Sequence, residues 1–269
     1  MNDSKLIELY RTLSSQEKKQ LQEYVYCDFL NKSREAARLY DFIYQSDNTK
    51  NELDKKKAYQ YAFEKKTYQD SKMRRLMSAL LKLMEDFLLY MYQQANEKKQ
   101  KINLAEVYFL RGLPKHFNST IRWCEKLQDA DKQINEDYYY AQYLIEDIKS
   151  QYLSRQDKRR TEPNLQQVSE RLDEFYLISK LKKLCAIYVY KNLFKYEYNI
   201  KMLDEILLHI SENDYSNTPA IPLYYAALLV LMGKNDKDYL RNSNICYINI
   251  MILYPVSYTH LRAHETKAN

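Results

Sequence analysis

The densest basic cluster in the 269-residue chain consists of Arg155, Lys158, Arg159 and Arg160. Guanidinium and ammonium groups bind phosphates and carboxylates, so this cluster is a candidate contact for a phosphate group or an acidic partner. The alternative is a plain solvated loop that leads into a helix, because residues 161–164 have the types found at helix starts. We favour the solvated loop.

A second candidate is the Arg74–Arg75 pair near the start of a predicted helix. Recognition helices place such side chains in the major groove of DNA, so the pair suggests a nucleic-acid-binding regulator. The net charge of +6, from 42 basic and 36 acidic residues, is only a mild excess. Both arginines also lie off the apolar stripe of their helix, which favours a solvated face over DNA recognition.

Few residues suit catalysis or metal binding. His116 and His209 are far apart in the sequence, and neither has a nucleophile in a catalytic pattern nearby. The cysteines form no CxxC pair, and we expect reduced, mostly buried thiols in a cytoplasmic protein. These cysteines are Cys27, Cys124, Cys185 and Cys246. We therefore expect no enzymatic activity, no cofactor and no metal site.

Glycine and proline are scarce, with 2 and 5 residues respectively. Average usage in a chain of this length gives about 19 glycines and about 13 prolines. Phosphate-binding loops and tight β-hairpins need glycine where φ is positive or where the backbone must approach a ligand. The composition therefore excludes most mononucleotide folds, sandwiches and barrels, and it predicts an all-α protein.

Helix signals recur along the chain. The clearest apolar stripe runs from residue 73 to residue 91 and holds one helix face over about five turns. Capping boxes at Ser14–Glu17 and Thr49–Glu52 predict two helix starts. Gly112 and Gly233 predict helix ends.

Helices joined by short polar loops are typical of stacked helix pairs. We predict an all-α fold of antiparallel helix pairs that stack as an irregular, tetratricopeptide-like (TPR-like) α-solenoid, although no strict tetratricopeptide register appears. A helical subdomain is expected over residues 1–95 and a helical array over residues 96–255. Within the array, residues 165–194 form one long helix or two.

Three stretches carry a resemblance to a known family: residues 6–17 (LIELYRTLSSQE), 72–88 (KMRRLMSALLKLMEDFL) and 160–169 (RTEPNLQQVS). Together they resemble the N-terminal half of a family of uncharacterised bacterial proteins, which are longer TPR-like helical arrays. The resemblance spans most of residues 4–240 and concerns structural motifs. It implies the helical fold and a C-terminally truncated fragment, and it implies no activity.

Residues 256–266 resemble the translation, in one frame, of a transposase adapter used to build sequencing libraries. On that resemblance, residues 256–269 are an adapter-derived tail and the chain comes from a metagenomic reading frame whose gene continues. The His260 and His264 pair has the spacing of a helical metal site. If the tail is adapter, this pair has no function.

These exclusions leave binding as the expected function. Tyrosine is abundant, with 28 residues, and it provides contact area with few rotatable bonds. Core packing is the favoured role for Tyr138–Tyr140 and Tyr224–Tyr225. We expect a protein-interaction scaffold for an unknown peptide or protein, and the alternative is nucleic-acid binding through Arg74–Arg75. No membrane partner is expected, because the longest apolar run, residues 223–232, is too short to span a bilayer.

Overall fold

The computed structural model describes residues 1–49, 53–64, 66–131, 134–155 and 162–233. Within these ranges the chain forms eleven α-helices and no β-strand, which confirms the predicted all-α class. In chain order the helices are α1 (Lys5–Thr12), α2 (Ser15–Tyr26), α3 (Arg34–Thr49), α4 (Lys55–Ala62), α5 (Asp70–Gln94), α6 (Glu97–Leu110), α7 (Pro114–Asp129), α8 (Glu136–Arg155), α9 (Leu165–Phe194), α10 (Leu203–Glu212) and α11 (Ala220–Leu231).

The helices cluster in two compact units, of which the first is Met1–Gln100 and the second begins at Lys101. In the first unit, α5 packs against α1, α2 and α3, and α4 packs against α3. The predicted stripe on α5 faces this core, since its most buried members are Met73, Leu76, Leu80, Met84 and Phe87. Burial of one apolar helix face against its neighbours is therefore what organises the first unit.

The second unit is arranged around α9, which is a single helix of 30 residues. It packs against α8, which precedes it in the chain, and against α11, which follows it after α10. Helix α7 packs against α8. Its buried side chains are Leu177, Ile178, Leu181, Leu184 and Cys185. Among the helices that the structure describes, none combines the length and the apolarity needed to cross a membrane.

The capping box that starts α2 is confirmed. The Glu17 N–H donates to Ser14 Oγ at 3.2 Å, and the Ser14 N–H donates to Glu17 Oε2 at 2.7 Å. These reciprocal bonds satisfy two of the backbone donors that a helix start leaves without partners.

The helix start predicted at Thr49 is wrong. Thr49 is the last residue of α3, and its hydroxyl donates to the Gln45 carbonyl at 2.8 Å. The next helix begins at Lys55, where the Asp54 carboxylate accepts from the Lys57 N–H at 2.7 Å. Residues 50–52 lie outside the described residues.

Both glycines follow helix ends and have a left-handed backbone, with φ of 66° at Gly112 and 72° at Gly233. At Gly112 the chain forms a Schellman motif, since the Gly112 N–H donates to the Phe109 carbonyl and the Leu113 N–H to the Tyr108 carbonyl. An added Cβ would meet no atom within 4 Å at either glycine, so glycine is favoured there by the backbone angle and not by lack of space. Similar positive φ angles, of 54° to 61°, occur at four other residues: Glu64, Asn164, Lys195 and Met202.

A matched pair of leucines on α5 tests its role in the core. Leu80 is fully buried, whereas Leu89 is 55% exposed. Leu80→Ala should lower the free energy of unfolding by about 2–5 kcal/mol, because it removes buried methyl groups and leaves a cavity. Leu89→Ala should cost less than about 1 kcal/mol. Urea unfolding followed by circular dichroism measures both, and equal losses would contradict this packing.

A second test concerns Lys195, which ends α9 with φ of 55°. Lys195→Gly should raise the free energy of unfolding by about 0.5–1 kcal/mol, because glycine adopts this angle without a Cβ penalty. The same substitution inside the helix, Lys183→Gly, should lower it by about 1 kcal/mol. Thermal unfolding measures the two shifts, and a destabilised Lys195→Gly would show that Lys195 is not under backbone strain.

Candidate functional site

The two arginines of the predicted recognition helix have different surroundings. Arg74 Nη2 lies 2.7 Å from Asp70 Oδ2, one turn earlier on α5, and 73% of its side chain is exposed. Arg75 instead lines a shallow groove of about 280 Å³ together with Lys72 and Glu35. The pair is therefore not one continuous basic contact, because Arg74 is paired with Asp70 and Glu35 lines the groove of Arg75.

Asp70 connects α4 to the start of α5. Its Oδ1 accepts hydrogen bonds from Lys55 Nζ and Tyr68 Oη, each at 2.7 Å. These two donors, with the nearby charge of Arg74, lower the pKa of Asp70 to about 2. The carboxylate is therefore ionised in all but strongly acidic solution.

Of the predicted basic cluster, only Arg155 lies among the described residues, and Lys158, Arg159 and Arg160 fall outside them. Arg155 is the last residue of α8, and its guanidinium carbon lies 4.1 Å from the centre of the Phe109 ring. This is a cation–π contact. A cation at a helix C-terminus also interacts favourably with the helix dipole. Both contacts give Arg155 a structural role.

The histidines and thiols of the described chain form no catalytic arrangement. His209 Nε2 lies 2.7 Å from the Tyr215 hydroxyl on an exposed surface. Burial raises the pKa of the Cys124 thiol to about 11, which keeps it protonated and unreactive at neutral pH. Cys185 is buried too, but Cys27 is exposed. Within the described residues, no three His, Cys, Asp or Glu side chains converge to hold a metal ion.

The second unit contains a cleft that the sequence analysis missed. It has a volume of about 120 Å³ and is lined by Glu125, Gln128 and Asp129 of α7, Gln142, Ile145 and Glu146 of α8, and Arg171 of α9. We call it the polar cleft. One signal in the sequence points to it: Gln128 continues the apolar stripe of α7 formed by Phe117, Ile121 and Cys124. A glutamine on the apolar face of a helix becomes buried when that face packs against other helices.

Ion pairs join the helices around the polar cleft. Lys149 Nζ lies 3.1 Å from Glu125 Oε1 and 2.9 Å from Glu146 Oε1, so one ammonium group bridges α7 and α8. Arg171 Nη1 lies 2.7 Å from Glu174 Oε2. The basic groups at the cleft are thus already paired with carboxylates.

Two side-chain amides of the cleft are incompletely satisfied. Gln128 is only 4% exposed, and its Nε2 donates to the Tyr138 carbonyl at 2.8 Å. Gln142 Nε2 donates to the Tyr138 hydroxyl at 3.2 Å. The Oε1 atoms of both glutamines are buried and accept no hydrogen bond from the described residues. Leaving a buried acceptor without a donor costs about 1–3 kcal/mol.

A second surface feature lies at the C-terminal end of α9 and in the segment after it. Four exposed aromatic side chains follow one another there, with ring centres 5.5, 6.2 and 6.4 Å apart in sequence order. They are 42–58% exposed, and we call them the aromatic row: Tyr190, Phe194, Tyr196 and Tyr198. By contrast, Tyr139, Tyr224 and Tyr225 are buried in the core, the role favoured for them from the sequence. The same role was predicted for Tyr140 and is wrong, because 42% of Tyr140 is exposed.

Comparison with known proteins adds no relative. The chain matches no protein-family model, no curated protein and no solved structure. The resemblance to a bacterial TPR-like family therefore stays a prediction, and the function must be argued from the residues themselves.

The Asp70 contacts predict a pH dependence. Because the pKa of Asp70 lies below its ordinary value of 3.8, its contacts stabilise the fold above that pH and lose this effect as the pH falls towards about 2. Asp70→Asn should therefore be less stable than the unmodified chain at neutral pH, and the difference should shrink over that acid range. Urea unfolding at several pH values measures it. Asp28→Asn, at an exposed position, is the control, and a constant Asp70→Asn difference would contradict the assignment.

Proposed function

We propose that the chain is a non-enzymatic protein-interaction scaffold of the cytoplasm. Its helices would stack as antiparallel pairs in a TPR-like solenoid, and its surface would bind a peptide or a partner protein. The observation that carries this proposal is the aromatic row, which exposes four rings within nine residues. Tyrosine and other aromatic side chains contribute much of the binding energy at protein interfaces.

The row suits a protein partner for two physical reasons. Its rings already contact one another, so little side-chain freedom is lost when a partner packs on them. The row also combines apolar faces with three tyrosine hydroxyls, which can hydrogen-bond to a peptide backbone. An exposed group of large apolar side chains is a typical interaction surface.

The nucleic-acid alternative has weaker support. Arg74 is paired with Asp70, and Glu35 lines the groove that Arg75 shares with Lys72. Carboxylates at these positions oppose the approach of phosphate groups. Nucleic-acid binding through Arg74–Arg75 stays the second prediction, and the experiment below distinguishes it.

Replacement of two tyrosines in the row tests the scaffold proposal. Tyr196→Ser with Tyr198→Ser should weaken binding of a captured partner by at least tenfold, because each exposed anchor contributes about 1–2 kcal/mol. The partner is first captured from nuclease-treated lysate and identified, and its affinity is then measured with purified components. Tyr92→Ser is the matched control, since Tyr92 is 71% exposed and lies in the first unit.

Two results would contradict the proposal. One is capture of nucleic acid alone from a parallel lysate without nuclease, abolished by charge reversal at Arg74 and Arg75. The other is partner affinity that falls equally in the Tyr92 control, since the loss would then not depend on the aromatic row.

A further inference from the structure

The chain between α9 and α10 has an extended backbone. Positive φ angles at Lys195 and Met202 bound it, and every φ between them is negative. Residues 196–200 contain no helix, turn or bend, and we call these five residues, the usual length of a β-strand, the extended segment. The ring centres of Tyr196 and Tyr198 lie 6.4 Å apart, as expected for residues i and i+2 on one face of an extended chain.

The backbone of the extended segment has unused hydrogen-bonding groups. Among the described residues, none donates to or accepts from the backbone N–H and C=O groups of residues 196–199. All four residues are exposed. In a β-strand, successive residues direct these groups to opposite edges, so each edge offers alternate residues to a neighbour. An extended peptide uses this pattern when it adds a strand to another protein.

The side chains of the extended segment alternate in character. Tyr196, Tyr198 and Ile200 are aromatic or apolar, and the residues between them, Glu197 and Asn199, are polar. Alternation with period two, with aromatic and β-branched residues, is typical of a strand that has one apolar face. Ile200 packs against the core of the second unit, whereas both tyrosines are exposed. A neighbouring strand would therefore place its own alternate side chains against the tyrosines.

The charges around the extended segment restrict the chemistry of its partner. Lys195 and Lys201 flank the segment, and neither pairs with a carboxylate of the described residues. Opposite charges on facing residues stabilise an antiparallel pair, so a peptide with an acidic residue at each end matches both lysines. Single-stranded nucleic acid would bring phosphates towards Glu197 as well, and it would leave the backbone groups of the segment unused.

We propose that the extended segment binds an extended peptide of a partner protein, acidic at both ends, as an added β-strand. This inference rests on the proposed function, because the peptide packs its apolar side chains on Tyr196 and Tyr198 of the aromatic row. Main-chain hydrogen bonds along one edge of the segment provide the affinity, and the tyrosines and flanking lysines select the side chains. The strands pair antiparallel, because this arrangement is the more stable per residue.

A synthetic peptide tests the proposal on the full chain. Its sequence is Glu-Ile-Thr-Val-Thr-Ile-Glu, acetylated and amidated, so that its two glutamates face Lys195 and Lys201. In ¹H–¹⁵N spectra the backbone amide signals of residues 196–199 should shift and saturate. In the saturated complex, amide hydrogen exchange should slow at every second residue of the segment, because only one edge forms hydrogen bonds.

Two N-methylated versions of the peptide separate main-chain pairing from side-chain docking. One is methylated at both isoleucines and the other at both threonines, so each lacks the N–H donors of one edge. Only one of the two should bind more weakly than the parent peptide, by about tenfold or more, because its methyl groups lie on the paired edge.

A charge reversal tests the selection of acidic ends. Lys201→Glu should weaken binding of the parent peptide about threefold, because it faces a glutamate of the peptide. Lys115→Glu is the matched control, since Lys115 is an exposed lysine of α7 and should not affect binding.

Four results would overturn the proposal: absent saturation, equal affinity of the two methylated peptides, unchanged affinity in Lys201→Glu, and tighter binding of a ten-nucleotide oligothymidylate at the extended segment. Slow exchange at every second residue of the free chain would also overturn it, because the chain itself would then already pair with the segment. The scaffold proposal is judged separately. It stands, with side-chain docking alone, if a captured partner still depends on Tyr196 and Tyr198.

Discussion

A helix with one apolar face is stable in water only when another element covers that face, and each unit of this protein meets that requirement around one long helix. In the first unit the buried stripe of α5 lies against α1, α2 and α3. In the second unit, α9 packs against α8 and α11. The middle of α9 is buried, whereas both of its ends are more exposed. The polar cleft and the aromatic row both include side chains of α9, because the ends of this helix are exposed.

The α5 helix and the start of α2 could be predicted from the sequence, because the interactions that determine them are local. The α5 stripe has helical period and no competing pattern, and the Ser14–Glu17 capping box is a short-range exchange of two hydrogen bonds. The helix start predicted at Thr49 was wrong because the same residue types also suit a helix end, where the Thr49 hydroxyl donates backwards to the Gln45 carbonyl. Whether residues 165–194 form one helix or two depended on packing with α8 and α11, which no local pattern contains.

The surface features were harder to predict than the helices. Basic residues were prominent in the sequence, yet Arg74 and Arg155 already contact other side chains of the chain, Asp70 and the Phe109 ring. The polar cleft is formed by three helices whose contributing residues span positions 125 to 171. A single sequence offers no pattern that joins such distant positions, and only Gln128 within the apolar stripe of α7 pointed to them.

The length of α9 has a mechanical consequence. Arg171 of the polar cleft and Tyr190 of the aromatic row are on the same uninterrupted helix, 19 residues apart. At the rise of an α-helix they are about 28 Å apart along its axis. A rigid rod thus sets a fixed spacing between the two features, and an extended peptide that reached from one to the other would need at least about eight residues.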